Sequence, residues 1–227
     1  MTKLETPTTN KSVQYEILQH NVILLRDVLT IPQQVQLWKC IQESSRHYKE
    51  TRARNAKSNF IKVLSFSTDA KKWKNKIPSM FYDITDIAVL LLFKETIASS
   101  VSKFVPNSMH PTYITSFKYP VKGGTLTEHV DVKSNWVVLY SLGNSANFTV
   151  KSPQMQQKKA FSFNSGDVLV FDASEKAKIK HGITHIIEDT VPSALVDCCP
   201  ELKEWRVSIQ FRVFGELKPS KTTSGSE

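Results

Sequence analysis

The chain has 227 residues, 40% of them hydrophobic, with a formal charge of +9 and a pI near 9.4. That length suits one domain with a sizeable core rather than two small ones. The longest apolar stretch, Ile87 to Phe93, is too short to span a bilayer, and the polar Met1 to Ser12 lacks the apolar core of a secretory signal. These features argue against a membrane or secreted protein, so a nuclear or cytoplasmic location is expected.

Cys40, Cys198 and Cys199 are odd in number, and two of them are adjacent. They do not suit a disulfide framework, and no C-x-x-C pair offers a thiolate zinc site. The basic charge suits a polyanionic partner, nucleic acid above all, against the plainer reading of a basic surface kept for solubility.

Residues 1–14, rich in Thr, Lys and Asn, are expected to be disordered. Residues 15–216 are expected to form the folded domain, and 217–227 a flexible tail. The region His20 to Val28 reads as a short strand. A helix follows to about Ser45: Thr30 and Gln33 make a capping box, Pro32 suits the first turn, and Val35, Leu37, Trp38 and Ile41 form the buried stripe. Between residues 49 and 76, Lys49, Arg52, Arg54, Lys57, Lys62, Lys71, Lys72, Lys74 and Lys76 interleave with Tyr48, Phe60, Phe66 and Trp73. Cations that track phosphates and aromatics that stack on bases make a nucleic-acid groove. A solvated charged face over ordinary core aromatics is the competing reading. A second helix is expected from about Pro78 to Phe104, with Met80, Phe81, Ile84, Ile87, Ala88, Leu91 and Leu92 at helical spacing.

From Tyr113 onward the patterns are short and strand-like. The candidates are 113–119, 125–130, 136–142, 147–151, 159–164, 167–172, 184–188 and 206–214, separated by turn signals such as Gly123-Gly124 and Asn164-Ser165-Gly166. Two helices followed by about eight strands predict an α+β fold, a jelly-roll core with the helices packed on one sheet.

The sharpest chemical signal is His129-Val130-Asp131. On an extended backbone residues i and i+2 project to one side, so an imidazole and a carboxylate can meet one ion. Such a pair alone is weak and is usually a surface hydrogen bond. His181, in Lys180-His181-Gly182, supplies a second imidazole, and two His plus one carboxylate make the facial triad of non-haem iron(II) oxygenases. His185 is the rival ligand; His181 is preferred because the following glycine relieves crowding. The stretch Arg206-Val-Ser-Ile-Gln-Phe-Arg212 alternates strictly, placing two arginines on the polar face of a strand. The planar fork of arginine suits a buried carboxylate, although two arginines about 20 Å apart along the strand must lean toward each other to share one small ligand. A wet edge strand is the plainer reading.

Together these elements resemble the AlkB-like 2-oxoglutarate- and iron(II)-dependent dioxygenases, from about His20 to Phe214. The resemblance is carried by Asn21-Val-Ile-Leu-Leu-Arg-Asp-Val, Tyr119, His129-Val-Asp131, Ser141-Leu-Gly143, Ala146-Asn-Phe148, Ser165-Gly166-Asp167-Val-Leu-Val, His181-Gly-Ile and the arginine strand. It implies iron(II) held by His129, Asp131 and His181. It implies 2-oxoglutarate held by Arg206 and Arg212, with hydrogen bonds from Tyr119 and Ser208, O2 as oxidant and ascorbate as a reductant. Trp73 would stack on a substrate base. The implied reaction couples conversion of 2-oxoglutarate to succinate and CO2 with oxidation of a C–H bond. An N-methyl group on a base of DNA or RNA would leave as formaldehyde, the base being flipped out of any duplex.

Three departures bear on the substrate. Phe117 replaces an asparagine that contacts 2-oxoglutarate in many relatives. Lys133 stands where repair members carry a base-reading acid. The segment between Trp73 and Pro78 is too short for a full nucleotide-recognition lid. The leading expectation is a monomeric demethylase acting on DNA or RNA. The alternative is the same chemistry on a protein side chain, as a hydroxylase or demethylase. A catalytically silent binding module would have no use for the triad or the arginine pair.

Overall fold

Runs of β-branched and aromatic residues at period two carry most of this chain into strands. The computed structural model describes residues 14–19, 21–45, 48–52, 60–67, 77–79, 81, 113–131 and 136–212. Among the described residues, twelve strands form two antiparallel sheets. They are β1 (Tyr15–Gln19), β2 (Val22–Leu25), β3 (Lys49–Arg52), β4 (Phe60–Ser67), β5 (Tyr113–Pro120), β6 (Leu126–Val130), β7 (Trp136–Gly143), β8 (Ser145–Lys151), β9 (Lys159–Phe163), β10 (Val168–Asp172), β11 (Lys180–Ile187) and β12 (Trp205–Arg212). The large sheet runs β1-β2-β10-β7-β12-β5-β4-β3 and the small sheet β6-β11-β8-β9. This is a jelly-roll core, or double-stranded β-helix, with helical elements on the outer face of the large sheet, as expected for the α+β class.

Two cores explain why the central strands are buried on both faces. On one face of the large sheet Leu37, Trp38 and Ile41 of α1 (Ile31–Glu43) pack on Ile23, Leu25, Val138, Tyr140, Val170, Ile209 and Phe211. Between the sheets lie Leu24, Val137, Leu139, Phe148, Val150, Phe163, Leu169 and Phe171. The alternation of β7 and β10 sends successive side chains into opposite cores. In β12 the apolar set Val207, Ile209 and Phe211 faces the helix side, so Arg206, Ser208, Gln210 and Arg212 project between the sheets. The wet arginine edge weighed above does not exist: β12 is central, and all four polar side chains are buried.

The helix α1 has the expected cap. Gln33 N–H meets Thr30 Oγ1 while the Gln33 side chain accepts from Thr30 N–H at 2.9 Å. A second anchor is the turn Ser165-Gly166-Asp167. The Gly166 carbonyl accepts from Val28 N–H and Leu29 N–H, at 2.9 and 3.1 Å, and Gly166 N–H donates to Ser141 O at 2.8 Å. At φ +88°, and with a Cβ that would lie 2.7 Å from Gln34 Nε2, only glycine fits there. Asp167 accepts from Arg26 NH1 at 2.7 Å, Asn164 N–H at 2.9 Å and Asp27 N–H at 3.0 Å.

The structure departs from the expectations in several places. Strand β11 begins at Lys180 rather than Thr184, so His181 lies within a strand. Strands β1, β3 and β4 and the short α2 (Ser193–Cys198) were not foreseen. The described part of the basic segment is no open groove. It forms the β3–β4 hairpin on the edge of the large sheet, with Phe66 in the core and the Tyr48 hydroxyl 2.7 Å from Ser116 Oγ. Tyr48 and Phe66 therefore serve packing rather than stacking. Trp73, Lys133, His20, His47 and His110, residues 1–13 of the expected disordered N-terminus, the expected tail 217–227, and nearly all of the second helix lie outside the described residues. Of that helix, Phe81 packs edge-on against Phe66 and Phe211. The three cysteines are free, and no described helix is long and apolar enough to cross a membrane.

Asp167→Ala should lower stability by about 2 kcal/mol, the scale of losing a charged acceptor to three donors, read as a fall in the urea midpoint at unchanged slope.

Candidate active site

The register of the small sheet brings the imidazoles together. His181 of β11 pairs with His129 of β6, and their ring centroids are 4.6 Å apart. Asp131 follows β6 directly. His129 Nε2 lies 3.4 Å and His181 Nε2 3.8 Å from Asp131 Oδ1, and the three ligand atoms lie within 4.8 Å of one another. His129 Nδ1 is 2.9 Å from the Thr127 carbonyl, which can only accept. Nδ1 therefore carries a proton, and Nε2 is the nitrogen that faces Asp131 and would serve as the metal ligand once an ion displaces the proton it shares with that carboxylate. His181 is enclosed by Phe148, stacked at 5.9 Å, and Phe171 at 5.0 Å. Burial pushes its pKa down to about 4, so near neutral pH it is an uncharged donor. The hydrogen bond to Asp131 outweighs burial at His129 and raises its pKa. Burial works to raise the Asp131 pKa, but the hydrogen bond from His129 and the Arg212 guanidinium prevail, joined by the charge His181 gains in acid, and hold the carboxyl well below the usual range.

Crowding beside His181 has a specific cause. A Cβ at Gly182 would lie 2.7 Å from Leu126 O and 3.0 Å from Glu128 N, where β6 crosses at a break in register. Any side chain there would push the two histidine strands apart. His185 is exposed and takes part in a 3.1 Å contact with Thr184 Oγ1, away from the triad.

Behind Asp131 stands β12. Arg212 NH2 reaches Asp131 Oδ1 at 2.6 Å, Gln210 Nε2 donates to Oδ2 at 2.8 Å, and Arg212 Nε donates to Gln210 Oε1 at 2.9 Å. Gln210 was not singled out from sequence. Its position between Ser208 and Arg212 on the polar face was the available signal, but its partner is 79 residues away in the chain.

Arg206 occupies the other end of the same stripe and is fully buried. Its NH1 donates to Ser141 Oγ at 2.7 Å, Asn144 O at 3.1 Å and Phe163 O at 3.2 Å, and its NH2 to Ser208 Oγ at 3.3 Å. All four acceptors are neutral, Nε has no partner, and no acid among the described residues lies within ion-pair distance. Burial lowers its pKa only to about 10, so it stays charged at neutral pH. A buried cation held by neutral groups is the complement of an anionic ligand. Tyr119, fully buried, lies in the electrostatic reach of both Arg206 and Asp131 and so links the two ends. Phe117, half-buried, stands 6.5 Å from the Tyr119 ring. Arg206 and Arg212 thus act at opposite ends of one stripe and need not lean together.

The donor set of two imidazoles and one carboxylate fits a first-row divalent ion such as iron(II) and leaves positions open. His129→Ala and Asp131→Ala should each weaken Mn(II) or Ni(II) binding at least tenfold in a calorimetric titration, with the circular dichroism spectrum kept. His185→Ala should bind as the parent does.

Comparison with known proteins agrees with this geometry. The 2OG-Fe(II) oxygenase superfamily profile matches residues 21–212. A stretch of 79 residues, 34% of this chain, is 34% identical to the DNA N(6)-methyladenine demethylase ALKBH1C of Arabidopsis thaliana. That stretch spans 17% of the length of the curated relative. The structure of OsALKBH1 superposes with a TM-score of 0.71 at 20% identity, covering 88% of this chain and all of that one. A prolyl hydroxylase from Trichoplax adhaerens, in complex with a hypoxia inducible factor peptide, superposes at 0.55 and 12% identity over 87% of this chain and 85% of its own. A prolyl-4-hydroxylase from Pseudomonas putida superposes at 0.54 and 10% identity over 88% and 96%. The solved structures share the fold. With a family match over nearly all of the described domain and a donor set suited to the family's metal, the chain belongs to the 2OG-Fe(II) oxygenase superfamily.

Proposed function

We propose that this protein is an iron(II)- and 2-oxoglutarate-dependent dioxygenase that oxidatively demethylates N-methylated bases in DNA or RNA. The observation that carries the cosubstrate is Arg206, a fully buried guanidinium with only neutral partners, on the same strand face as the residues behind the triad. His129, Asp131 and His181 would hold the metal. Arg206 and Ser208 would take the distal carboxylate of 2-oxoglutarate, Tyr119 would hydrogen-bond the cosubstrate, and Arg212 would close its other side, next to Asp131. Phe117 offers an apolar wall where an amide contact would otherwise stand.

Bound iron(II) and 2-oxoglutarate would supply the oxidising chemistry with O2, giving succinate and CO2. One oxygen atom enters the substrate C–H bond, and the N-hydroxymethyl product releases formaldehyde and leaves N–H. The chain's own part is orientation and exclusion of water. Neutral His181 is sealed by Phe148 and Phe171, while the His129 side chain is 39% exposed and marks the side open to substrate. The nucleic-acid substrate rests on the likeness to a DNA N(6)-methyladenine demethylase and on the +9 charge. A monomer in the nucleus or cytoplasm completes the reading.

Succinate formation should require iron(II) and rise with methylated single-stranded DNA or RNA over the unmethylated strand, with matching formaldehyde. Turnover with a methylated or proline-containing peptide alone would overturn the nucleic-acid substrate, and no turnover with any substrate would overturn the enzyme. Arg206→Met should raise KM for 2-oxoglutarate at least about thirtyfold, the scale of truncating a buried charged pair. Arg206→Lys keeps the charge without the fork and should fall between.

A further inference from the structure

We propose that the lysines on the triad end of the small sheet are the docking surface for the sugar–phosphate backbone of the substrate strand. This rests on the nucleic-acid reading above and assigns the surface that meets it. Strand register defines the place. Lys180 of β11 is opposite Val130 of β6 on one side and Lys151 of β8 on the other. One residue further along, His181 is opposite His129 and Val150. Adjacent residues of a strand face opposite ways, so the row that turns His129 and His181 inward turns Lys180 and Lys151 outward.

The same end gathers more positive charge. The connection from β10 to β11 carries Lys176 and Lys178, both exposed. It leaves β10 at Asp172, opposite Trp136 at the start of β7. Among the described residues Lys151, Lys176, Lys178 and Lys180 form no ion pair within 4.0 Å, and Glu128, bound to Lys158, is the acid in electrostatic reach of Lys180. The neighbouring Lys158 and Lys159 are held by Glu128 at 2.8 Å and Glu16 at 3.7 Å. Lys151 and Lys180 lie side by side, about 5 Å apart at Cα level. Val130, 43% exposed, is the apolar step between this row and Asp131. A strand lying on Lys151 and Lys180 needs only to turn one base over Val130 to bring it to the open side of His129, the geometry a flipped base requires.

The test uses two triple variants of the iron-loaded protein with the same loss of charge. In the first, Lys151→Gln and Lys180→Gln are joined with Lys178→Asn, because φ at 178 is +47° and asparagine tolerates that backbone. In the second, Lys39→Gln, Lys122→Gln and Lys203→Gln remove three exposed lysines that lie on α1 or at the opposite end of the sandwich. Binding of a methylated single strand is measured against salt. The first variant should bind at least tenfold more weakly at low salt. Its log K against log salt slope should be shallower by about 2, from roughly 0.7 per phosphate contact. Its KM for the strand should rise alike, while substrate-free succinate formation from 2-oxoglutarate stays at the parent rate. The second variant should keep the parent slope. Equal losses in both, or an unchanged slope in the first, would overturn the docking surface while leaving the demethylase reading intact. A parent protein without salt-dependent binding to any strand would overturn both.

Discussion

The Asp131 carboxylate is the interaction on which the site depends. It is a buried charge, costly by itself, and its partners come from two sheets. Gln210 and Arg212 approach from β12 of the large sheet, and His129 and His181 from β6 and β11 of the small one. The network closes the sandwich at one end and fixes where both imidazole nitrogens point. It also explains why the carboxylate stays ionised although burial opposes it. A metal ion at these residues would require little rearrangement, because the network already holds the three donor atoms within 4.8 Å of one another.

The polarity of β12 follows from the same constraint. A central strand between two cores would ordinarily be apolar on both faces. Here one face is apolar and packs under the helix, and the other carries Arg206, Ser208, Gln210 and Arg212 into the space between the sheets. At the floor the Arg206 guanidinium is braced by Ser141 and by the carbonyls of Asn144 and Phe163. Ser141 is itself bonded through its backbone to the Gly166 turn, and that turn ties α1 to the strands. The capped helix, the Asp167 turn and the Arg206 guanidinium therefore form one connected support, running from a surface element to the space between the sheets.

Charge divides in an equally purposeful way. Lys151, Lys176, Lys178 and Lys180 at the triad end are exposed, whereas Lys62 of the β3–β4 hairpin lies over the Trp205 ring at 5.4 Å. Long-range attraction reaches only about a Debye length, ~8–10 Å at physiological salt, so the cations that would matter for a docked strand are those beside the exposed side of His129. Clustering in sequence singled out residues 49–76; clustering in space singles out the end of the small sheet.

The sequence by itself determined the local choices. Period-two alternation placed most of the second-half strands, the Thr30–Gln33 box placed the start of α1, and the i, i+2 spacing of His129 and Asp131 predicted that they share a face. The arginine strand was legible because its alternation is unbroken. What the tertiary structure alone decided were the pairings across distance. His181 meets His129 only through the β6–β11 register, Gln210 meets Asp131 across 79 residues, and Lys151 comes beside Lys180 only when β8 and β11 pair. The physical reason is that local pattern sets which way a side chain faces along its own strand, while register between strands, fixed by the burial of both cores and by a glycine that lets β6 approach, sets what it faces.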